Sequence, residues 1–526
     1  MGIRKKRKEM TSMKRMAILS VSVVMAVSAA AAAPFSYAVN GYDNTDSDKT
    51  EYSETTYTEK DTSWFDYESP EDTYEISTEA ELMGFASLIN ENQVDKWKPT
   101  RLENFEGVQF ILTDDIRLTG EWTPIGSGGA SYFAGVFNGN GHTISGLKIE
   151  NNSGPAGFFG YLVGGVENLT VKGRISSGDE SCGGIAGQLD PAAKILNCTS
   201  DVSVSAKDKT GGIAGYNDGG TIEGCINKGN VSGTYKVGGI VGENWGGTVT
   251  KCGNLGTVES SKRGVSTFGT GGVAGRSVSS ESEISQCYNH GNIISDTEAT
   301  GGIVGYTNAD GATVTDCYNN AEIVIANKAG NKNISKSYAG GIAGTAGTAR
   351  VYIKNCYNAG SVMNADVIGG IIGRYINDND TDKNEYYISN NYYLTHTFKA
   401  GIGYADSDQG RKISKAATGL SSSALNGLST SLSVRYMPDT GIYGNNGYPV
   451  LRWQEPINDS ERTYIHGISV EKQKALDRYI INSSDISQNC QIVISLFSPA
   501  KYANDAIINY NESKEKAEEQ LEKKDK

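Results

Sequence analysis

Histidine and proline are scarce in this chain, with 4 and 10 copies among 526 residues. The histidines (His142, His290, His396 and His466) form no HExxH or HxxxH pair, and the eight cysteines form no CxxC. These absences exclude a zinc-peptidase centre and argue against a structural zinc site. Basic residues are in deficit too: 48 Lys and Arg stand against 61 Asp and Glu, for a net charge of −13. A polyanion repels nucleic acid and anionic lipid, so neither is expected as a partner. Beyond residue 38 no apolar run approaches the ~20 residues that cross a bilayer. Glycine is abundant, at 65 copies, but no G-x-y period appears, so the chain is not collagen-like.

Residues 1–38 read as a secretory signal peptide. Seven basic residues from Arg4 to Arg15 precede an apolar run from Met16 to Val27, and Ser36-Tyr37-Ala38 fits small-residue cleavage. Removing seven basic residues and one acidic residue takes the mature chain from −13 to −19. The expected product is exported, with no membrane insertion after cleavage. Residues 39–75 are acidic and poor in apolar groups, which predicts a disordered spacer.

What dominates the rest is a repeat. GGIAG, GGIVG, GGVAG or GGIIG begins at Gly183, Gly211, Gly238, Gly271, Gly301, Gly340 and Gly369, at intervals of 27 to 39 residues. Units this short cannot bury a core alone and must stack to share one. A second register runs CINKGNV, CGNLGTV, CYNHGNI, CYNNAEI and CYNAGSV from Cys225, Cys252, Cys287, Cys317 and Cys356. Its period of two places Cys, Asn, Gly or Ala, and Val or Ile on one inward face of an extended strand. Another apolar residue (Ile222, Val249, Ile284, Val314 or Ile353) stands three positions before each cysteine, the wrong parity unless a bend intervenes. With the glycine phrase as a third extended piece, each repeat describes one coil of a parallel β-helix.

In that fold the asparagines Asn227, Asn254, Asn289, Asn319 and Asn358 form an internal ladder of amides. The cysteines Cys198, Cys225, Cys252, Cys287, Cys317 and Cys356 share one inward slot. Coils ~4.8 Å apart hold their Cβ atoms beyond disulfide reach, so buried free thiols are expected in preference to disulfides. The fold class is therefore all-β: a parallel β-helix of about seven to eight coils, with an N-terminal α+β cap and a short, partly helical C-terminal tail.

The cap and first coil are expected over 76–172. There Thr78 and Glu81 make a capping box, and Leu82, Phe85, Ala86 and Ile89 follow helical spacing. The repeats occupy 173–394, a closing segment 395–455, and a polar, partly helical tail 456–526. AGFFG at 156–160, the seven glycine phrases, the CYNxG register, LTDDI, WTPIG, FNGNGHTISGL and NGYPVLRWQ together resemble GLUG-motif repeat proteins. The resemblance covers roughly residues 74 to 455. It implies a β-helical scaffold of bacterial secreted and surface proteins, a type of repeat also present in the non-catalytic region of immunoglobulin A-cleaving zinc peptidases. It implies no particular ligand. An LPxTG-like sorting signal is not seen.

Three places are candidates for binding. Tyr288, Tyr318, Tyr357 and Tyr392 follow the inward slot by one residue and point outward as a ribbon suited to sugar rings or a protein, or else merely stabilise the ladder. Tyr216, Trp245, Tyr306 and Tyr375 form a second, weaker stripe after the glycine phrase. Asp378, Asp380 and Asp382, with Glu385, alternate as calcium ligands do, but Lys383 stands where an EF-hand has glycine, and a solvated insertion loop is the better fit. The basic insertions SSKRGVSTF (260–268) and ANKAGNKNISKSY (326–338) could draw an acidic glycan. No outward pair of carboxylates is evident. The expectation is an exported, non-catalytic binding or adhesion module engaging a glycan or a host or cell-surface protein. A structural spacer and a carbohydrate-active enzyme are the alternatives. The oligomeric state is not legible.

Overall fold

The computed structural model describes residues 59–66, 69–91, 103–126, 131–150, 152–177, 180–261, 268–326, 336–347, 351–376, 387–405 and 417–454. The signal peptide, most of the acidic spacer and the tail expected over 456–526 lie outside them. The described residues form a parallel β-solenoid with four long sheets of 11, 16, 9 and 7 strands and one two-stranded hairpin.

One turn shows how the coil is made. Val241–Trp245 lies in the nine-stranded sheet and Thr248–Thr250 in the eleven-stranded sheet. Gly253–Asn254 and Val258–Ser260 both lie in the sixteen-stranded sheet, and Gly269–Gly271 in the seven-stranded one. The chain then re-enters the nine-stranded sheet at Ala274–Val278. The Cys-x-Asn register is thus two short strands and not one. The glycine phrase is not a strand either: it straddles the corner between the seven- and nine-stranded sheets.

Nine strands in the last sheet mean nine turns. Seven follow the glycine phrases; Phe159–Leu162 and Ile402–Ala405 add one at each end. The repeat count stopped at about eight because the final coil carries no GG pair before Ile402.

The parity conflict upstream of the cysteines is resolved by a left-handed residue. Asn197, Lys251, Gln286, Asp316 and Asn355, each just before a cysteine, have φ between 50° and 56°. Gly224, at φ 69°, takes the same place before Cys225. This bend brings the apolar residue three positions earlier and the cysteine to the same interior. The register Ile195↔Ile222↔Val249↔Ile284↔Val314↔Ile353 is one continuous buried column. The six cysteines, and Cys182 on the seven-stranded sheet, are free and fully buried. Each Sγ of the six points at a carbonyl of the preceding coil, as Cys225 does at Ile195 O, 3.5 Å away. Burial pushes the Cys198, Cys225, Cys252 and Cys317 thiols well above their usual range, so they are inert, apolar wedges.

The asparagines form a hydrogen-bonded column within the core. Nδ2 of Asn227, Asn254, Asn289 and Asn319 donates to Oδ1 of the next asparagine at 2.8 to 2.9 Å. The same nitrogen also donates to the carbonyl two residues ahead, as Asn289 does to Gly291 O at 3.0 Å. Opposite this ladder stands the second glycine of the GG phrase. A Cβ at Gly239 or Gly272 would lie 2.3 Å from Cγ of Asn254 or Asn289. The glycine is there because the amide fills the space a side chain would need.

At the N-terminal end α1 (Glu79–Asn90) begins with the expected capping box. It lays Leu82, Phe85, Ala86 and Ile89 onto the open end of the core. Phe85 meets Phe110 with ring centroids 4.4 Å apart, and Phe133 at 5.4 Å. An aromatic plug therefore covers the first coil.

An amide in mid-ladder is bonded on both sides, whereas Asn227 starts the ladder and its Oδ1 has no partner among the described residues. Asn289→Ala should therefore cost about 3 kcal/mol and Asn227→Ala roughly half of that. Urea midpoints of the two variants test this; equal losses would contradict the ladder.

Candidate functional site

Tyr288, Tyr318, Tyr357 and Tyr392 do stack in register on the sixteen-stranded sheet and point away from the coil interior. Tyr318 and Tyr357 are parallel at 5.0 Å, and Tyr288 and Tyr318 nearly so at 5.5 Å. They do not form an accessible ribbon. The chain from Ala417 onward adds one strand, Ala417–Leu420, then α2 (Ser422–Asn426), α3 (Ser429–Leu432) and the hairpin Tyr436–Met437 with Val450–Leu451. These elements pack Leu425, Leu432, Tyr436 and Leu451 over the tyrosines as a second core. Tyr318 and Tyr357 are 0% exposed and Tyr288 only 7%, and Tyr392 is half-buried.

Polar tips are satisfied as well. Tyr318 donates to Gln454 Oε1 at 3.0 Å, and Tyr436 to the Asn355 carbonyl at 3.0 Å. Tyr357 donates to the Pro449 carbonyl, and Trp453 Nε1 to Gln286 O at 2.9 Å. The closing segment thus does more than cover the last coil. From Ser422 it doubles back as a strap along the flank, tying together coils that carry Gln286, Tyr318, Asn355 and Asn390. Period two correctly separates inward from outward residues, but outward does not mean exposed when another segment returns. The apolar content of 425–453 was the available signal.

The other sequence candidates fare differently. Asp378, Asp380 and Asp382 lie outside the described residues, as do most of the two basic insertions. Among the described residues no three His, Cys, Asp or Glu side chains are placed to hold a metal ion. A shallow cleft of about 380 Å³ opens beside the cap, lined by Tyr132, Val136 and Lys194, with Glu106 its one carboxylate. It offers no carboxylate pair.

The second stripe divides. Tyr375 points inward and is buried. Tyr216 and Tyr306 share an outward column of the nine-stranded sheet with Glu243 and Arg276 between them, in the register Tyr216↔Glu243↔Arg276↔Tyr306. Trp245, two residues past Glu243, projects on the same face and is 46% exposed. The Arg276 guanidinium lies 6.0 Å from the centres of both the Trp245 and Tyr306 rings, a cation–π arrangement on each side. Tyr306 is buried against Val278 and Ala299 and forms a wall behind it.

Ion pairs fix this arrangement. Glu243, almost wholly buried, accepts from Arg276 Nη1 and from Lys236 Nζ, the latter at 3.1 Å. Lys236 also reaches Asp208 Oδ2 at 3.1 Å. Removing any one would leave a buried charge uncompensated. Tyr216 is pushed up to about 12 by burial, with the nearby Asp218 and Glu243 carboxylates adding to the shift. The ion-paired groups come from separate coils, so no short motif announces them. The signal available was the slot after each glycine phrase, which carries Glu243 and Arg276 in adjacent copies.

No family model matches the chain. Over 99 residues, 18% of its length, it is 34% identical to Halomucin of Haloquadratum walsbyi, and that stretch is 1% of the relative's own length. Among solved structures it is similar to a chain from Bacteroides ovatus whose name assigns it provisionally as an immunoglobulin A1 protease. The identity there is 19% and the TM-score 0.38, over 72% of this chain and 92% of that one.

Burial raises the Tyr318, Tyr357 and Tyr436 hydroxyls well above their usual value, so the fold favours their neutral form. Their contribution to stability is complete below pH ~10 and is lost as the pH climbs past it. In an alkaline titration their tyrosinate absorbance should appear late, together with a change in Trp453 fluorescence as the strap lifts. Ionisation of all tyrosines near pH ~10 would contradict a sealed strap.

Proposed function

We propose that the protein is an exported, non-catalytic binding module, a GLUG-type β-helical scaffold at or near a bacterial cell surface that engages a glycan or a host or cell-surface protein. The signal-like residues 1–38 and the repeat phrases support export and the scaffold. Among the described residues no helix is long and apolar enough to cross a membrane. The observation that carries the binding reading is Trp245. A large aromatic ring stands half exposed on a rigid sheet, with Arg276 and its buried counter-charges holding the surroundings fixed. Exposed aromatics on a preorganised surface are the usual anchors of recognition, because little entropy is lost on binding. A structural spacer is the second reading, favoured by the sealed tyrosine column, which withdraws the sixteen-stranded face from contact.

Arraying the mature protein and its Trp245→Ala variant on immobilised glycans and on host extracellular proteins tests the binding reading. Binding by the parent should fall by roughly tenfold in the variant while thermal stability holds. Undiminished binding by the variant would move the site elsewhere.

A further inference from the structure

We infer that the ligand taken by the Trp245 face is an uncharged saccharide chain, held by stacking and hydroxyl hydrogen bonds and not by charge. This rests on the reading of that face as the binding site and adds the ligand class. The ionic state of the face decides it. Arg276 is neutralised by Glu243, Lys236 lies between Asp208 and Glu243, and Lys209 is engaged over the Tyr216 ring with its Nζ 4.8 Å from the centre, so these cations have their charge committed within the protein. One coil before Trp245, in direct register with it, stands Asp218. A carboxylate or sulfate ester approaching the ring would meet that acid on a chain that carries −13 overall.

What the face offers instead is geometry. Trp245 is 46% exposed, and the Arg276 guanidinium of the next coil lies over its ring, 6.0 Å from the centre, and braces it. A pyranose ring has one face of C–H bonds that packs on such a surface. Asp218, half-buried in the preceding coil, already accepts from the Tyr216 hydroxyl, and the remaining lone pairs of its carboxylate can accept from the ring's hydroxyls. A chain of sugars laid along the solenoid axis would stack on one coil and bond to the next. A polyanion would gain only the stacking and pay electrostatic repulsion. An acidic peptide would meet the same repulsion and lacks the ring face.

Quenching of Trp245 fluorescence in the mature protein tests this, with Trp245→Phe subtracting the other tryptophans. The probes are a soluble β-glucan, a mannan and a galactan, set against hyaluronan, polygalacturonate and a sulfated glycosaminoglycan. At least one neutral polymer should quench, with affinity changing less than about twofold between ~0.05 M and ~0.5 M salt. By titration calorimetry, which needs no reporter ring, Trp245→Ala should weaken that polymer roughly tenfold, and Trp245→Phe should restore part of the loss. Tighter binding of a charged polymer, lost in Trp245→Ala and weakened by salt, would overturn the ligand class but keep the site. Neutral binding indifferent to Trp245→Ala would overturn the site. Failure of every neutral polymer to quench would overturn the ligand class.

Discussion

The fold depends on one contact repeated up the core: a column of asparagine amides seated against a column of glycines. From Asn227 to Asn319 each Nδ2 is shared between the next asparagine and a carbonyl two residues ahead, so the ladder's interior satisfies itself and the corner that follows it. Each facing glycine leaves room for one amide and nothing more. The two repeat phrases, which lie far apart along each unit, are therefore halves of one interface. The glycine cannot gain a side chain while an amide faces it. Where the ladder ends, the glycine persists: Tyr393 follows Asn358 in register and packs on Gly370, and Ser200 precedes Asn227 opposite Gly184.

A core this narrow makes the outer faces stiff. Side chains on them are placed by register, so residues from distant parts of the chain stand in fixed columns one coil apart. The protein uses two faces in different ways. On the sixteen-stranded face the tyrosine column meets a returning segment and becomes a second core, which fastens the later coils along their flank. On the nine-stranded face, ion pairs between neighbouring coils hold an aromatic ring out in solvent. The first is a clamp, the second a surface prepared for something outside the chain.

Most of the fold was legible because each coil repeats the same constraints. The inward cysteine, the amide two residues on and the apolar residue three before are all visible as period and parity. The bend that reconciles them follows from that parity, but its conformation does not. Asn, Lys, Gln, Asp and Gly all occupy it, and only the backbone shows that they share a left-handed conformation. The site was legible only in part. Trp245, Tyr216 and Tyr306 could be picked out as a stripe, but parity errors of one residue placed Tyr375 among them. Lys236 and Glu243 are seven residues apart, but Asp208 and Arg276 join them only through stacking, and nothing local marks charged residues 28 and 33 positions apart as partners. Burial of the tyrosine ribbon failed to show for a related reason. A strap is a tertiary event, and the repeats it covers look the same with or without it.

The amide-and-glycine column is tested most directly by adding one methyl group to it. In Gly272→Ala the new Cβ would stand 2.3 Å from Asn289 Cγ and 2.2 Å from the Gly302 carbonyl, whereas in Gly165→Ala it would meet nothing nearer than 3.6 Å. The measurement is the urea midpoint of the two variants. A loss of about 3 kcal/mol or more at Gly272, with Gly165→Ala neutral or slightly stabilising, is the predicted result. Equal stability of both variants would mean that the core has room there, and the account of the fold would be wrong.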